Sequence, residues 1–438
     1  MKKPNVIFIV ADDLGFADLG CYGGRDAHFG PVSPVLDRLA EGGLRFTDGY
    51  ANSPVCSPTR FALITGRYQY RLRGAAEEPI SAASKGSTTL GMPPEHPTIP
   101  SLLKKAGYRT ALIGKWHLGY PPHFSPIKSG YEEFFGPMSG GVDYFTHCAA
   151  NGAHDLYLGD EERHDEGYLT DMLSRRAVDY VERMAADGAP FFLSLHYTAP
   201  HWPWETRDDA DVAAEVKDNL FHLHGGNIHT YHRMIHHMDE GIGWIMDALR
   251  RQGIVDDTLV TFTSDNGGER FSDNWPLVGG KMDLTEGGIR VPWIAHWPAG
   301  IAAGGVSDQH CMTMDWSATV LDLAGVAADP RFPLDGISLR AVLEDPALTF
   351  RRPLHWRMKH RGQRALRDGE WKYLRVDEHD YLFNVVSDAR ERANRAKLEP
   401  SRLATMKQAW EAWNSEMPQI PEDAEVKLGY GAKDMPSR

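Results

Sequence analysis

Pro4-Asn5-Val6-Ile7-Phe8-Ile9-Val10-Ala11-Asp12-Asp13 decides how this chain is read, because its apolar run from Val6 to Ala11 goes straight into two carboxylates. A short, uninterrupted apolar run suits a strand buried on both faces of a parallel sheet. Three later segments repeat the pattern. Arg109–Ile113 leads into Lys115-Trp116-His117, Phe191–His196 is followed by His201, and Leu259–Thr263 ends at Asp265-Asn266. Helical periodicity falls between them at Ser101–Ala106, Leu169–Ala186 and Thr230–Arg251. Strands alternating with helices predict an α/β sheet covered on both faces. Ligands bind outside the carboxyl ends of such strands. Four distant segments should therefore bring their polar groups to one edge.

The chain has 438 residues, 42% of them hydrophobic and 24% charged, which suits one large core with a smaller appended unit. After about residue 345 the character changes. Nine Lys/Arg and two acids lie between Arg351 and Arg375, with strand-like segments at Arg364–Leu366 and Trp371–Val376 and a helix at Leu403–Met417. The expected division is 1–345 and 346–438, the second part a small antiparallel α+β unit. The four cysteines are scattered without a CxxC pair, so neither a disulfide framework nor a zinc ribbon is expected. A net charge of −13 argues against nucleic acid as a partner. No apolar run is long enough to span a membrane. The apolar start is too short for a signal peptide and runs into Asp12, so the expected location is cytoplasmic, or periplasmic if a leader has been removed.

Asp12, Asp13, Asp265 and Asn266 offer only oxygen donors, a set for a hard cation such as Ca²⁺ or Mg²⁺. Each pair alone is also ordinary cap or turn chemistry. Their shared position at strand ends favours metal. A histidine-rich stretch (His222, His224, His229, His232, His236, His237) has ligand spacing between His232 and His236, but no HExxH pattern, and is read as structural. Within Cys56-Ser57-Pro58-Thr59-Arg60, Ser57 is a natural N-cap and Pro58 a natural first helical residue. Residue 56 then sits where backbone N–H groups and the helix dipole favour an anion. Arg60 lies one turn in. Cys56 is either a thiolate nucleophile or a buried structural residue on these grounds alone.

The string Cys56-Ser57-Pro58-Thr59-Arg60 with Thr65-Gly66-Arg67 resembles the sulfatase signature. The likeness extends to Gly114-Lys115-Trp116-His117, Ser264-Asp265-Asn266-Gly267, Gly280-Lys281, Glu286–Pro292 and Tyr381-Leu382-Phe383-Asn384. It implies an alkaline-phosphatase-like fold: a large mixed sheet between helices, with a small C-terminal sheet domain. It further implies that Cys56 is oxidised to formylglycine by a maturation enzyme, and that the hydrated aldehyde is the nucleophile. Asp12, Asp13, Asp265 and Asn266 would bind one divalent cation together with residue 56. Ca²⁺ is expected, with Mg²⁺ or Mn²⁺ as alternatives. Arg60 would hold the formylglycine, and Lys115, His117, His201 and Lys281 would surround the sulfate. Lys281 or His201 would protonate the departing oxygen, and His117 would take the proton that lets sulfate leave.

The expected activity is hydrolysis of small sulfate monoesters, of the arylsulfatase type. Two rivals are a phosphonate monoester or phosphodiester hydrolase on the same nucleophile, and an anion-binding relative with Cys56 unmodified. Homo-oligomerisation is left open. Tyr70, Arg71, Arg73, Asp143, Tyr144, His147, Trp202 and Trp204 are residues that could meet the alcohol, with core packing the other role open to the aromatic ones.

Overall fold

The computed structural model describes residues 3–24, 29–72, 79–216, 220, 225–422 and 424. The strands in chain order are β1 (Asn5–Ala11), β2 (Leu44–Phe46), β3 (Gly49–Tyr50), β4 (Arg109–Gly114), β5 (Glu133–Gly136), β6 (Tyr157–Leu158), β7 (Glu161–Glu162) and β8 (Phe191–His196). They continue with β9 (Thr258–Ser264), β10 (Trp293–His296), β11 (Gly305–Ser307) and β12 (Cys311–Met312), then β13 (Leu354–Met358), β14 (Gln363–Asp368), β15 (Trp371–Val376) and β16 (His379–Asn384).

The main sheet has the order β11-β2-β10-β9-β1-β8-β4-β5-β6-β7. Its centre, β9-β1-β8-β4-β5, is parallel, and these include all four strands expected from the sequence. Antiparallel pairing enters at β10 and β6, which makes the sheet mixed. Strand alternation sends β1 into two cores. Ile7, Ile9 and Ala11 pack with helices Leu169–Asp187 and Ile228–Arg251, while Val6, Phe8 and Val10 pack with helices Ile99–Lys105 and Thr313–Ala324. Both faces are covered, so the continuous apolar run is physically required.

The smaller sheet is an antiparallel meander, β13-β14-β15-β16. Leu366, Tyr373 and Leu382 on one face pack against Met406 and Trp410 of helix Pro400–Ser415. Trp356, Ala365, Leu374 and Phe383 face the other way and share a core with Val55, with Ala62 of helix Cys56–Thr65 and with Leu284. The C-terminal sheet is therefore seated on the segments around Cys56 and Lys281. No helix among the described residues is long and apolar enough to cross a membrane.

Candidate active site

Register brings the strand ends to one place. Val10 pairs with both His196 and Thr263, Ala11 with Ser264, and Gly114 with His196. The next residues cross-link those ends: Asp265 N–H donates to Ala11 O at 3.1 Å, and Lys115 N–H to His196 O at 2.8 Å. A Cβ on Gly114 would lie 1.8 Å from the His196 carbonyl oxygen, so only glycine lets β4 turn into Lys115 here. Asp13 (φ 62°) and His117 (φ 55°) both occupy the left-handed region, a strain that persists where surrounding structure fixes it and that clusters at functional sites.

The nucleophile segment differs from its expected start. Helix Cys56–Thr65 is capped by Val55 in extended conformation, and Cys56 is its first residue. Ser57 is already helical. Its hydroxyl instead accepts from Ile80 N–H at 2.8 Å, tying down another chain segment. Cys56 Sγ lies 3.5 Å from Asp12 Oδ1. Burial pushes the Cys56 thiol well above its ordinary range, against the pull of Lys115 and Lys281, so as an unmodified thiol it stays protonated. Arg60 donates from Nε and Nη2 to Asp265 Oδ2 at 3.1 and 2.8 Å. Burial opposes its charge, but Asp265 and Asp12 hold it above its ordinary value.

Carboxylate oxygens of Asp12, Asp13 and Asp265 and the Cys56 sulfur lie within 4.8 Å of one another, all buried. Asn266 Nδ2 donates to Asp13 Oδ1 at 2.7 Å, and its buried Oδ1 has no partner. Burial, then the neighbouring Asp12 charge, raises Asp265 to about 6. Three crowded carboxylates and an orphaned amide oxygen fit a hard cation. The same carboxylates also meet cations of the chain. Lys115 Nζ bonds Asp12 Oδ2, and Lys281 Nζ donates to Asp13 Oδ2 at 2.8 Å.

His201 Nδ1 is 2.7 Å from the Trp202 carbonyl, which can only accept, so Nδ1 carries the proton. Nε2 then faces Asp13 Oδ2 at 3.6 Å as a lone pair. Burial, then Lys281, drops His201 to about 3, so it is neutral. His117 follows the same logic. Its Nε2 is 2.6 Å from Ile80 O and must donate, while buried Nδ1 is unpartnered. Burial and then Lys115 hold it well below the ordinary histidine value. Burial opposes the charge of Lys281, but Asp13 and its other neighbours keep it well above the ordinary lysine value.

All the residues expected at the site thus meet on one sheet edge. Sequence reasoning missed Glu269, whose Oε2 lies 3.7 Å from Lys281 Nζ; nothing in its Gly-Gly-Glu context marked it. Gly140 and Gly141 were likewise not singled out. A Cβ on Gly140 would lie 2.4 Å from His117 Cε1, and one on Gly141 would lie 3.0 Å from His201 Cε1. The glycines admit both rings. Of the residues considered for the alcohol side, Tyr70, Tyr144 and Trp204 are core and Arg71 pairs with Asp335. Trp202 packs on His201 at 4.1 Å between ring centroids. Arg73, His222 and His224 lie outside the described residues. In the histidine-rich helix, His232 packs on Phe29 and His237 Nδ1 accepts from Arg207 N–H, as the structural reading expects.

The sulfatase family model matches residues 4–326. The N-acetylgalactosamine-6-sulfatase of Rattus norvegicus is 33% identical over 357 residues, covering 77% of this chain and 65% of that protein. Arylsulfatase A of Homo sapiens is 32% identical over 403 residues, covering 85% of this chain and 74% of that one. The crystal structure of Ps i-CgsB in complex with k-i-k-neocarrahexaose superposes with a TM-score of 0.84 at 33% identity, covering 95% of this chain and 94% of the other. PsFucS1 sulfatase from Pseudoalteromonas sp. gives 0.78 at 26%, covering 96% and 92%. With a family model over most of its length and relatives about one-third identical, this chain belongs to the sulfatase family.

Proposed function

We propose that this chain hydrolyses sulfate monoesters, with residue 56 as nucleophile and one divalent cation held by Asp12, Asp13, Asp265 and Asn266. The observation that carries the proposal is Cys56 at a buried helix start, 3.5 Å from a carboxylate within an acidic cluster, with ammonium and guanidinium groups beside it. The sulfatase names of the relatives support the same chemistry.

When bound, the cation supplies Lewis-acid charge for an ester oxygen and for the nucleophile. Oxidation of Cys56 to formylglycine supplies a hydroxyl of the aldehyde hydrate where a thiol would stay protonated. Arg60 is fixed by Asp265 and orients residue 56 from within the same helix. Buried Lys115 and part-buried Lys281 bring positive charge to an anionic ester, where a low dielectric strengthens their pull. Of the two candidates for protonating the departing oxygen, Lys281 is favoured because it is charged at neutral pH, whereas His201 is neutral and presents a lone pair. His117, neutral with its proton on Nε2, offers Nδ1 as the base that lets sulfate leave.

The test uses protein produced with a formylglycine-generating enzyme. Mass spectrometry of the tryptic fragment 46–60 should show the thiol of Cys56 replaced by an aldehyde. An aryl sulfate should give a higher kcat/KM than an aryl phosphonate monoester. Retained sulfur would point to an anion-binding relative, and preference for the phosphonate would reassign the substrate.

A further inference from the structure

Lys281 lies in the loop between β9 and β10, where regular pairing is lost. Its backbone N–H donates to Gly268 O at 3.1 Å, and the next residue, Met282, is in the left-handed region at φ 78°. A non-glycine residue there needs outside restraint. Part of it comes from the nucleophile segment: Met282 N–H donates to Pro54 O at 2.9 Å, two residues before Cys56. The rest comes from the C-terminal sheet. Gln363, the first residue of β14 and 2% exposed, donates from Nε2 to Met282 O at 2.8 Å and accepts at Oε1 from Leu284 N–H at 2.8 Å. One side-chain amide thus pairs with the backbone on both sides of Asp283, as a neighbouring strand would.

We infer that Gln363 is a positioning residue for the reaction: the C-terminal sheet uses it to hold the 282–284 backbone, and so to set the Lys281 ammonium at the acidic cluster where the ester binds. The inference rests on the sulfatase reading of the site and adds a residue that touches none of the reacting atoms. Both amide functions are needed. Leucine loses these two hydrogen bonds, and the weaker one from Nε2 to His360 O at 3.3 Å, at nearly constant volume, leaving the Met282 carbonyl and the Leu284 N–H without that partner. Glutamate keeps the acceptor for Leu284 but sets a second acceptor against the Met282 carbonyl.

The experiment is a double-mutant cycle on metal-loaded, full-length protein. The dissociation constant of inorganic sulfate is measured by calorimetry and kcat/KM on an aryl sulfate where turnover is detectable. Gln363→Leu should weaken sulfate binding about tenfold when Lys281 is present and less than twofold in the Lys281→Ala background, because the effect passes through the ammonium. Gln363→Glu should show the same coupling and serves if the leucine variant folds poorly. Equal losses with and without Lys281, or no loss in its presence, overturn the inference and leave the sulfatase reading intact. A parent protein that neither binds sulfate nor cleaves the aryl sulfate overturns that reading instead.

Discussion

Cys56 was legible as a special residue from its string alone, and its burial explains why a plain thiol is poorly suited to act there. Cys56→Ala should leave a folded protein whose kcat on an aryl sulfate is at least about a thousandfold lower, the usual consequence of deleting a nucleophile. Unchanged turnover would remove residue 56 from the chemistry. Behind His201 lies a second residue-scale feature that no motif announced. Glu205 is fully buried beside the Asp143 carboxyl group and accepts from Tyr144 N–H at 3.2 Å, while Tyr144 Oη donates to His201 O at 2.9 Å. Burial, then Asp143, raises Glu205 to about 9, so the folded protein keeps a proton that the unfolded chain releases near the ordinary glutamate value of about 4.3. The native state binds the extra proton between those values, so stability from this group is full at acid pH and falls as pH rises, by up to about 1.4 kcal/mol per pH unit. Glu205→Gln keeps a donor and should flatten that slope in urea unfolding between pH 6 and 8. An unchanged slope would mean the pair does not share a proton.

At the scale of elements, apolar runs identified the four central strands because burial on both faces leaves no room for polar residues. The sequence also indicated that their ends would meet, and the parallel register of β9, β1, β8 and β4 brings them together. The start of the nucleophile helix was placed too late, since a good capping residue was found at Ser57 while tertiary contacts recruited its hydroxyl to Ile80. Cap propensity is a local preference and loses to such contacts. The acidic pairs directly follow β1 and β9, so a bound cation would join two strand ends as well as serve catalysis. Calcium at a hundred times its dissociation constant should raise unfolding free energy by about 2.7 kcal/mol. Removing it with a chelator should lower Tm, and Asp265→Asn should abolish most of the response. A Tm indifferent to calcium, magnesium and manganese would argue against the metal site.

Across the whole molecule, buried charge joins the C-terminal sheet to the loops it covers. Lys372 on β15 lies 2.9 Å from both Glu286 Oε1 and Glu391 Oε1, with no exposed surface, and Tyr50 Oη donates to Glu286 Oε2 at 2.6 Å. Lys372→Met would leave Glu391 buried without its cation, and Glu286 with only Arg290 and Arg367 at 3.6 and 3.8 Å, and should cost about 3–5 kcal/mol in denaturant unfolding. A loss under about 1 kcal/mol would show that the clamp contributes little. Nothing in the sequence singled out Lys372, Glu391 or Gln363, because their partners lie far away along the chain: Lys372 is 86 residues from Glu286 and Gln363 is 79 from Leu284. By itself the sequence determined the central strands, the edge where their polar ends gather and the family, since apolar runs and a contiguous motif are local patterns. Only the tertiary structure decided the protonation of His117 and His201, the glycine-lined approach to their rings and the sheet that anchors the Lys281 loop. Those depend on burial and hydrogen-bond partners that exist only once distant segments pack together.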